Sequence, residues 1–295
     1  MLGSFIGLIV NGVLNAILIF GLLGAPKMGI KGAALATLIA RIVEFLIVVG
    51  VIYTKVDVLK LRFKDMLELP KSLSITLNKV TLPILANEAC WAFGNITYTA
   101  IYASIGTSAA ASIQICSTIM NLFMIVTFGL ANAGVVIIGN EIGANREDEA
   151  ISASKKISSL SVKISIVLAI VLALLAKPIV SFFNVSAEVK MAAQYILYIY
   201  ALVIVFKVYN AVMIVGILRG GGDTTYGSIL QGLTLWLIGI PLAAFATFVL
   251  KLPVYFVVMF ATVEEIIKLL LMMRRFKSFK WIKNMVNDEQ NEVLA

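Results

Sequence analysis

Apolar residues recur along the chain in runs of about 20, and short segments between these runs carry most of the charges. A helix of about 20 apolar residues is long enough to cross a hydrocarbon core about 30 Å thick. The pattern therefore predicts an all-α integral membrane protein with eight transmembrane helices. The predicted spans are 3–23, 30–53, 81–105, 111–140, 158–180, 187–217, 225–250 and 253–273.

One segment, 55–80, departs from this pattern because it mixes charges with apolar residues at helical spacing. The apolar positions are Val58, Leu61, Met66 and Leu69. Such a segment is typical of an amphipathic helix lying along the membrane surface. We therefore divide the chain into 1–54 with two spans, 55–80 as a cytoplasmic amphipathic linker, 81–275 with six spans, and 276–295 as a basic cytoplasmic tail.

Lysine and arginine are concentrated on one side of the predicted spans. They occur mainly in the linker, in 141–163 and in the tail, whereas few lie in the opposite loops. Because cytoplasmic loops carry an excess of these residues, the three segments are predicted to be cytoplasmic. The short loop "RGGGDTT" at 219–225 lies on the same side, where a tight turn is favoured over a phosphate-binding loop because no Walker lysine follows.

Composition excludes several classes of function. Hydrophobic residues make up 61% of the chain and charged residues 14%, which is unlike a soluble domain. The net charge of +8 is spread over separate loops, which argues against nucleic acid as a partner and for the lipid bilayer. The chain has no histidine, and its two cysteines, Cys90 and Cys116, lie inside apolar runs. We expect no metal site, no cofactor and no enzymatic activity.

The first and last hairpins of the chain resemble each other. When residues 1–52 are aligned without gaps to residues 221–272, eight positions are identical. These include Lys31 with Lys251 and Glu44 with Glu264. Internal repeats are common in transporters. If spans 1–2 correspond to spans 7–8, the last six spans form one complete unit and the first two end another. We then expect about four further spans to precede residue 1.

Five blocks of sequence carry a resemblance to a known family. They are "GAPKMGIKGAALATLIAR" (24–41), "LPILANEACWAFGN" (82–95), "GNEIGANREDEA" (139–150), "ILRGGGDTT" (217–225) and "EEIIKLLLMMRRF…KWIKN" (264–284). In the order and spacing of these blocks the chain resembles the multidrug and toxic compound extrusion (MATE) transporters. That resemblance implies a complete six-helix C-lobe and two helices of an incomplete N-lobe, equivalent to helices 5 to 12 of the family.

The resemblance also implies a function and a location. Members exchange Na⁺ or H⁺ for small amphiphilic organic compounds, which are often cationic, by alternating access between two lobes. The expected location is the plasma membrane of a bacterium, where the chain would be a multi-pass protein. Two alternatives stay open: a lipid-linked oligosaccharide flippase of the same superfamily, and an inactive structural fragment that needs a missing N-lobe.

Two charges within the predicted spans, Glu88 and Lys207, have no oppositely charged residue three or four places away. Some family members couple transport through an acid on the seventh helix and an aspartate on the tenth. Glu88 lies on the match to the seventh helix, whereas the match to the tenth offers Lys207 and no acid. We predict that both residues line a wet cavity and take part in cation coupling. The alternative, that they pair across helices and fix the packing of the C-lobe, stays open.

Polar and aromatic residues at steps of three or four favour a cavity lined by the predicted C-lobe helices. Aromatic rings and methionine suit flat cationic substrates, although amides also join helices simply by hydrogen bonding. The candidate lining residues are Asn87, Trp91, Asn95, Tyr98, Tyr102, Gln114, Asn121, Tyr195, Tyr198, Asn210 and Met213.

Two further pairs of charges are spaced for ion pairing on one helix. Arg41 and Glu44 are three places apart, and Glu264 and Lys268 are four apart. We interpret both as structural ion pairs, with Glu265 either sharing Lys268 or pointing elsewhere.

Overall fold

The computed structural model describes residues 2–55 and 71–283. These residues are helical except for short connections. The chain divides into two compact units, Met1–Ser74 and Ile75–Ala295. Each unit has its own packing and is described by itself.

The first unit is an antiparallel hairpin of helix α1, Leu2–Phe20, and helix α2, Ile30–Lys55. The helices come very close at Gly32, where a Cβ atom would lie 2.6 Å from the backbone oxygen of Leu18. Only glycine fits there. Small residues at helix contacts let the backbones of apolar helices approach closely in membranes. Both helices agree with the predicted spans 3–23 and 30–53.

Six long helical stretches lie wholly or mainly in the second unit. Helices α3, α4 and α5 are Lys71–Ile105, Thr107–Gly143 and Glu147–Ser181. Helix α6, Ala187–Ala211, continues as the π-helical segment Val212–Leu218. Helix α7 consists of Thr224–Thr234, π-helical Leu235–Gly239, Ile240–Ala244 and π-helical Phe245–Val249. Helix α8 has two parts, Val254–Ala261 and Val263–Lys277.

Six of the described helices are long and apolar enough to cross a membrane. They are Gly3–Phe20, Ile30–Thr54, Thr107–Gly143, Glu147–Ser181, Ala187–Leu218 and Thr224–Val249. The other two predicted spans fall on α3 and α8. Helix α3 carries polar residues such as Asn87 and Glu88, and the two parts of α8 have only 8 and 15 residues.

The linker prediction needs a correction at its C-terminal end. Residues 71–80 form the first turns of α3, whereas we placed the start of this helix at 81. The stretch contains no glycine or proline, so nothing in its sequence ends the helix there. The predicted amphipathic positions Val58, Leu61, Met66 and Leu69 lie outside the described residues, as does the tail beyond residue 283.

Helix α6 is the most enclosed helix of the second unit, and it packs closely on α4. A Cβ atom on Gly134 would lie 3.3 Å from the Cα atom of Gly216, so the two backbones nearly touch. The Ser112 hydroxyl and the Cys116 thiol of α4 each lie 3.3 Å from a backbone oxygen of α6, to which they donate. These contacts hold α6 at a fixed depth and thereby position its polar residues.

Candidate functional site

Two adjacent acids and a lysine are buried together in the second part of α8. Glu264 and Glu265 are 8% and 6% exposed, and Lys268 is 6% exposed. The Lys268 ammonium lies 3.8 Å from Glu264 Oε1 and 3.5 Å from Glu265 Oε2. Helical spacing brings one lysine to both acids, so two carboxylates share a single ammonium.

Helix α6 adds an amide and a second lysine to this group. Asn210 donates from Nδ2 to the Glu265 backbone oxygen at 2.9 Å and to Glu265 Oε2 at 2.8 Å. Lys207, one turn away on the same helix, lies close enough to Glu264 and Glu265 to interact electrostatically. Its Nζ is also 5.6 Å from the centroid of the Tyr200 ring.

Helices α3 and α7 close the site on the other side of Glu264. Gly239 is the last residue of the π-helical segment Leu235–Gly239. A Cβ atom there would collide with the Tyr98 hydroxyl and would lie 2.7 Å from Glu264 Oε2. The Tyr98 hydroxyl and Glu264 Oε2 therefore both lie against Gly239, with no hydrogen bond between them. We call Glu264, Glu265, Lys268, Lys207, Asn210 and Tyr98 the buried charge cluster.

Three polar atoms of the buried charge cluster lack a hydrogen-bond partner within the described part of the chain. They are Glu264 Oε2, the Tyr98 hydroxyl oxygen and Asn210 Oδ1. Buried polar atoms are normally paired, so unpaired ones often mark a place where a proton, ion or water takes part in function. Among residues 2–55 and 71–283, no group of three or more histidine, cysteine or acidic side chains could hold a metal ion.

The cluster lies about halfway along its helical stretch. Glu264 follows Val254 by ten residues, which corresponds to about 15 Å along a helix axis. A hydrocarbon core is about 30 Å thick. A helix that entered a membrane at Val254 would carry Glu264 to its midplane, the depth at which secondary transporters generally hold substrates and coupling ions.

Glu88 contacts Arg219 and not Lys207, which answers the question that the sequence left open. Its Oε1 accepts a hydrogen bond of 2.8 Å from Arg219 Nη2, and its side chain is 57% exposed. Lys207 instead belongs to the buried charge cluster. Glu88 and Tyr98 are ten residues apart on α3, or about 15 Å along the axis, so Glu88 lies at another depth. Arg219, which we placed in a cytoplasmic loop, directly follows the π-helical end of α6 and reaches this depth.

The candidate cavity residues differ in burial. Asn87 and Met213 are buried, and Asn210 is buried against Glu265. Tyr98 and Tyr102 stack with ring centroids 5.9 Å apart beside the cluster. The remaining candidates are exposed on the second unit: Trp91, Asn95, Gln114, Asn121, Tyr195 and Tyr198.

The two predicted ion pairs are present, but their surroundings differ. Arg41 Nη1 lies 2.6 Å from Glu44 Oε2, and the Arg41 side chain is 75% exposed. The pair of Glu264 and Lys268 is buried and is shared with Glu265. The sequence left open whether Glu265 shares Lys268, and the structure shows that it does.

The "RGGGDTT" loop forms a turn that holds the segment after α8. Asp223 is 1% exposed and accepts hydrogen bonds from Arg275 Nε at 2.8 Å and from Lys283 Nζ at 2.7 Å. The indole of Trp281, which is fully buried, covers Gly221, where a Cβ atom would lie 2.6 Å from the Trp281 backbone oxygen. This loop is therefore a structural attachment point for residues 281–283.

Comparison with known proteins places these features in a family. The profile of the MatE family matches residues 83–245. The chain is 29% identical over 252 residues to the probable multidrug resistance protein NorM of Bacillus cereus, covering 82% of this chain and 54% of that protein. It is 22% identical over 269 residues to the uncharacterized transporter YisQ of Bacillus subtilis, covering 91% of this chain and 59% of YisQ.

Solved structures share the fold. The Vibrio cholerae MATE transporter VcmN, solved as a mutant, superposes with a TM-score of 0.81 at 19% identity, covering 96% of this chain and 62% of that chain. An outward-facing multidrug resistance MATE family transporter of the MOP superfamily gives a TM-score of 0.80 at 18% identity and covers 95% and 62%. The chain thus spans about half to three fifths of the length of these relatives.

Proposed function

The chain belongs to the MatE family, and on that basis we propose that it functions in multidrug efflux. The whole transporter would exchange Na⁺ or H⁺ for small amphiphilic organic compounds, often cationic, by alternating access. The proposal is supported by the multidrug resistance proteins among its relatives and by the MATE fold. The proposed transport activity is that of the whole protein. This chain spans only about half of the length of its relatives.

The proposed topology has eight membrane spans in the bacterial plasma membrane. Six are the long apolar helices described above. Helix α3, with 35 residues, and the two successive parts of α8 would provide the other two. Their polar residues account for their lower hydropathy, since several of these residues belong to the buried charge cluster. Lysine and arginine in the connecting segments favour a cytoplasmic position for 141–163 and 219–225.

The buried charge cluster is the observation that carries the coupling part of the proposal. Each charge placed at the centre of a bilayer costs about 2.5–3.5 kcal/mol on insertion scales, and such residues generally mark ion or substrate pathways. Two carboxylates that share one lysine, with a second lysine beside them, form a site whose charge can change during a cycle. We assign coupling to this cluster, which includes Lys207, and not to Glu88, whose exposed carboxylate is held by Arg219.

The substrate would be recognised by exposed aromatic residues of the second unit. Trp91, Tyr195 and Tyr198 are 51%, 48% and 38% exposed. Aromatic faces attract cations and accommodate flat apolar rings without fixed hydrogen-bond geometry. These properties suit a transporter that accepts several amphiphilic cations.

Transport in proteoliposomes tests this function. The full-length protein is reconstituted, a fluorescent cationic dye such as ethidium is enclosed, and dye movement is followed after an inward gradient of Na⁺ or H⁺ is imposed. We expect gradient-driven dye exchange that an ionophore abolishes. Absence of dye exchange under either gradient, combined with translocation of a fluorescent lipid-linked sugar, would instead support the flippase alternative.

A further inference from the structure

We propose that the buried charge cluster is a proton-binding site in which Glu264 takes up and releases the coupling proton, and that this site does not take a sodium ion. The inference rests on the proposed function, because it names the ion and the residue for coupling. It is carried by the unequal contacts of the two acids and by the space around Glu264.

The two neighbouring carboxylates are not equivalent. Glu265 Oε2 accepts a hydrogen bond of 2.8 Å from Asn210 and lies 3.5 Å from the Lys268 ammonium. Protonation there would take away an acceptor that both neighbours use. Glu264 Oε2 has no hydrogen-bond partner among the described residues, so protonation of this oxygen breaks no contact. Of the two, Glu264 is therefore the acid that can gain and lose a proton without rearranging the site.

A partner for the proton lies nearby. The Tyr98 hydroxyl is buried, has no hydrogen-bond partner in the described part of the chain, and lies against the same glycine, Gly239, as Glu264 Oε2. A hydroxyl can both donate and accept. Once a small side-chain movement brings the two oxygens within hydrogen-bond distance, Tyr98 can donate to Glu264 when this acid is ionised and accept from it when it is protonated. This exchange of roles would satisfy both groups in either state of the cycle.

A sodium ion does not fit the same position. The surface of Gly239 facing Tyr98 and Glu264 lacks room even for a methyl group. The Lys268 ammonium lies within 3.8 Å of Glu264 and 3.5 Å of Glu265, so a metal cation would be placed beside a fixed positive charge. At a buried site this repulsion is weakly screened. A proton needs no added space and forms a covalent O–H bond.

The proposed step is balanced in atoms and charge. A proton from water on one side of the membrane bonds to Glu264 Oε2, and the same proton returns to water on the other side after the transporter changes conformation. With two carboxylates and two ammonium groups, the cluster changes from a net charge of 0 to +1. The titratable groups that face Glu264 are Glu265 and Lys268 of α8, Lys207 of α6, and Tyr98 and Tyr102 of α3.

Transport measurements on the full-length protein give the first test. We expect dye efflux from wild-type proteoliposomes under a pH gradient, with no effect of a Na⁺ gradient at equal pH. Glu264→Gln should abolish the pH-driven efflux while dye-for-dye exchange without a gradient continues. Glu88→Gln, which changes an exposed carboxylate of the same unit, should keep pH-driven efflux. Sodium-driven efflux by the wild type, or pH-driven efflux by Glu264→Gln, would overturn the inference but leave the transport function intact.

Infrared difference spectroscopy between high and low pH gives a second test without transport. We expect a protonated-carboxyl band that persists in Glu265→Gln and is lost in Glu264→Gln. Tyr98→Phe retains every carboxylate and should shift this band to higher frequency, because the acid loses its hydrogen-bond partner. The shift keeps the test valid if Glu264→Gln does not fold. A wild-type band that Tyr98→Phe leaves unmoved would contradict the assignment. Absence of dye exchange by the wild type would instead refute the proposed function itself.

Discussion

Arg219 donates from Nη2 to Glu88 Oε1 over 2.8 Å, and this ion pair joins the middle of α3 to the turn that follows α6. The Glu88 side chain is 57% exposed and that of Arg219 is 22% exposed. The pair therefore lies at the surface of the second unit, unlike the carboxylates of α8. This exposure determines how much the ion pair contributes to the free energy of unfolding.

We predict that the pair of Glu88 and Arg219 contributes little to stability. The variants Glu88→Gln and Arg219→Gln and the double variant form a mutant cycle for thermal unfolding of the detergent-solubilised protein. Exposed ion pairs give coupling energies of about 0.2–1 kcal/mol. We expect a value in that range, which should fall as salt is added. A coupling energy of several kcal/mol that salt does not change would show that the pair is shielded from water.

Asp223 should be far more important for stability, because it is 1% exposed and binds both Arg275 and Lys283. We predict that Asp223→Ala destabilises the protein by about 3 kcal/mol, near the lower end for a broken buried ion pair, since both cations retain access to water. Thermal unfolding measures the loss, and faster proteolysis after residue 277 should accompany it.

A control for Asp223→Ala is Glu149→Ala. Glu149 Oε2 also forms an ion pair with an arginine, at 2.9 Å from Arg146 Nε, but its side chain is 61% exposed. Its removal should change stability by less than about 1 kcal/mol. Equal effects of the two substitutions would mean that burial does not determine the importance of the Asp223 contacts.

Local features of the fold could be predicted from the sequence. The hairpin of α1 and α2 follows from two apolar runs separated by a glycine-rich turn, and the contact of Glu264 with Lys268 follows from spacing on one helix. Both depend on residues that are neighbours along the chain. The rise and periodicity of a helix therefore suffice to place them.

Contacts between distant helices could not be predicted in the same way. Whether Lys207 meets Glu88 or Glu264 depends on the depth at which α6 packs against α3 and α8, which hydrophobic periodicity does not encode. The π-helical segment Leu235–Gly239 also changes which residues of α7 face α3. For this reason the sequence indicated polar residues of the site but left open whether Glu88 and Lys207 meet.

In the first unit, Gly32 offers a test of close helix packing. A Cβ atom at Gly32 would lie 2.6 Å from the Leu18 backbone oxygen, whereas a Cβ atom at Gly50 of the same helix would meet nothing within 4 Å. We predict that Gly32→Ala destabilises the hairpin by about 1–3 kcal/mol through overpacking. Gly50→Ala should be neutral or stabilising by up to about 1 kcal/mol, because alanine favours helix. Thermal unfolding of both variants shows which is less stable. A Gly32→Ala variant as stable as the wild type would contradict the prediction.

The Tyr98 hydroxyl and Glu264 both lie against Gly239, and this leads to a prediction that a second substitution can test. Gly239→Ala introduces a methyl group that collides with the Tyr98 hydroxyl, so we expect a loss of about 1–3 kcal/mol in stability together with a loss of coupled transport. Tyr98→Phe removes the obstructing oxygen, which has no hydrogen-bond partner among the described residues. The double variant should therefore recover stability, although only in part because Glu264 Oε2 would still lie 2.7 Å from the new methyl group.

The matched control for Gly239→Ala is Gly232→Ala, two turns earlier on α7, where the nearest atom to an added Cβ is Cys90 Sγ at 4.0 Å. We expect this variant to unfold at or above the wild-type temperature, since the methyl group makes ordinary van der Waals contact and alanine stabilises helix relative to glycine. If Gly239→Ala behaved like Gly232→Ala, the space around Glu264 would be larger than the structure indicates. If the double variant were no more stable than Gly239→Ala alone, a contact other than Tyr98 would be responsible, and the tyrosine could not be the partner that Glu264 meets at this glycine.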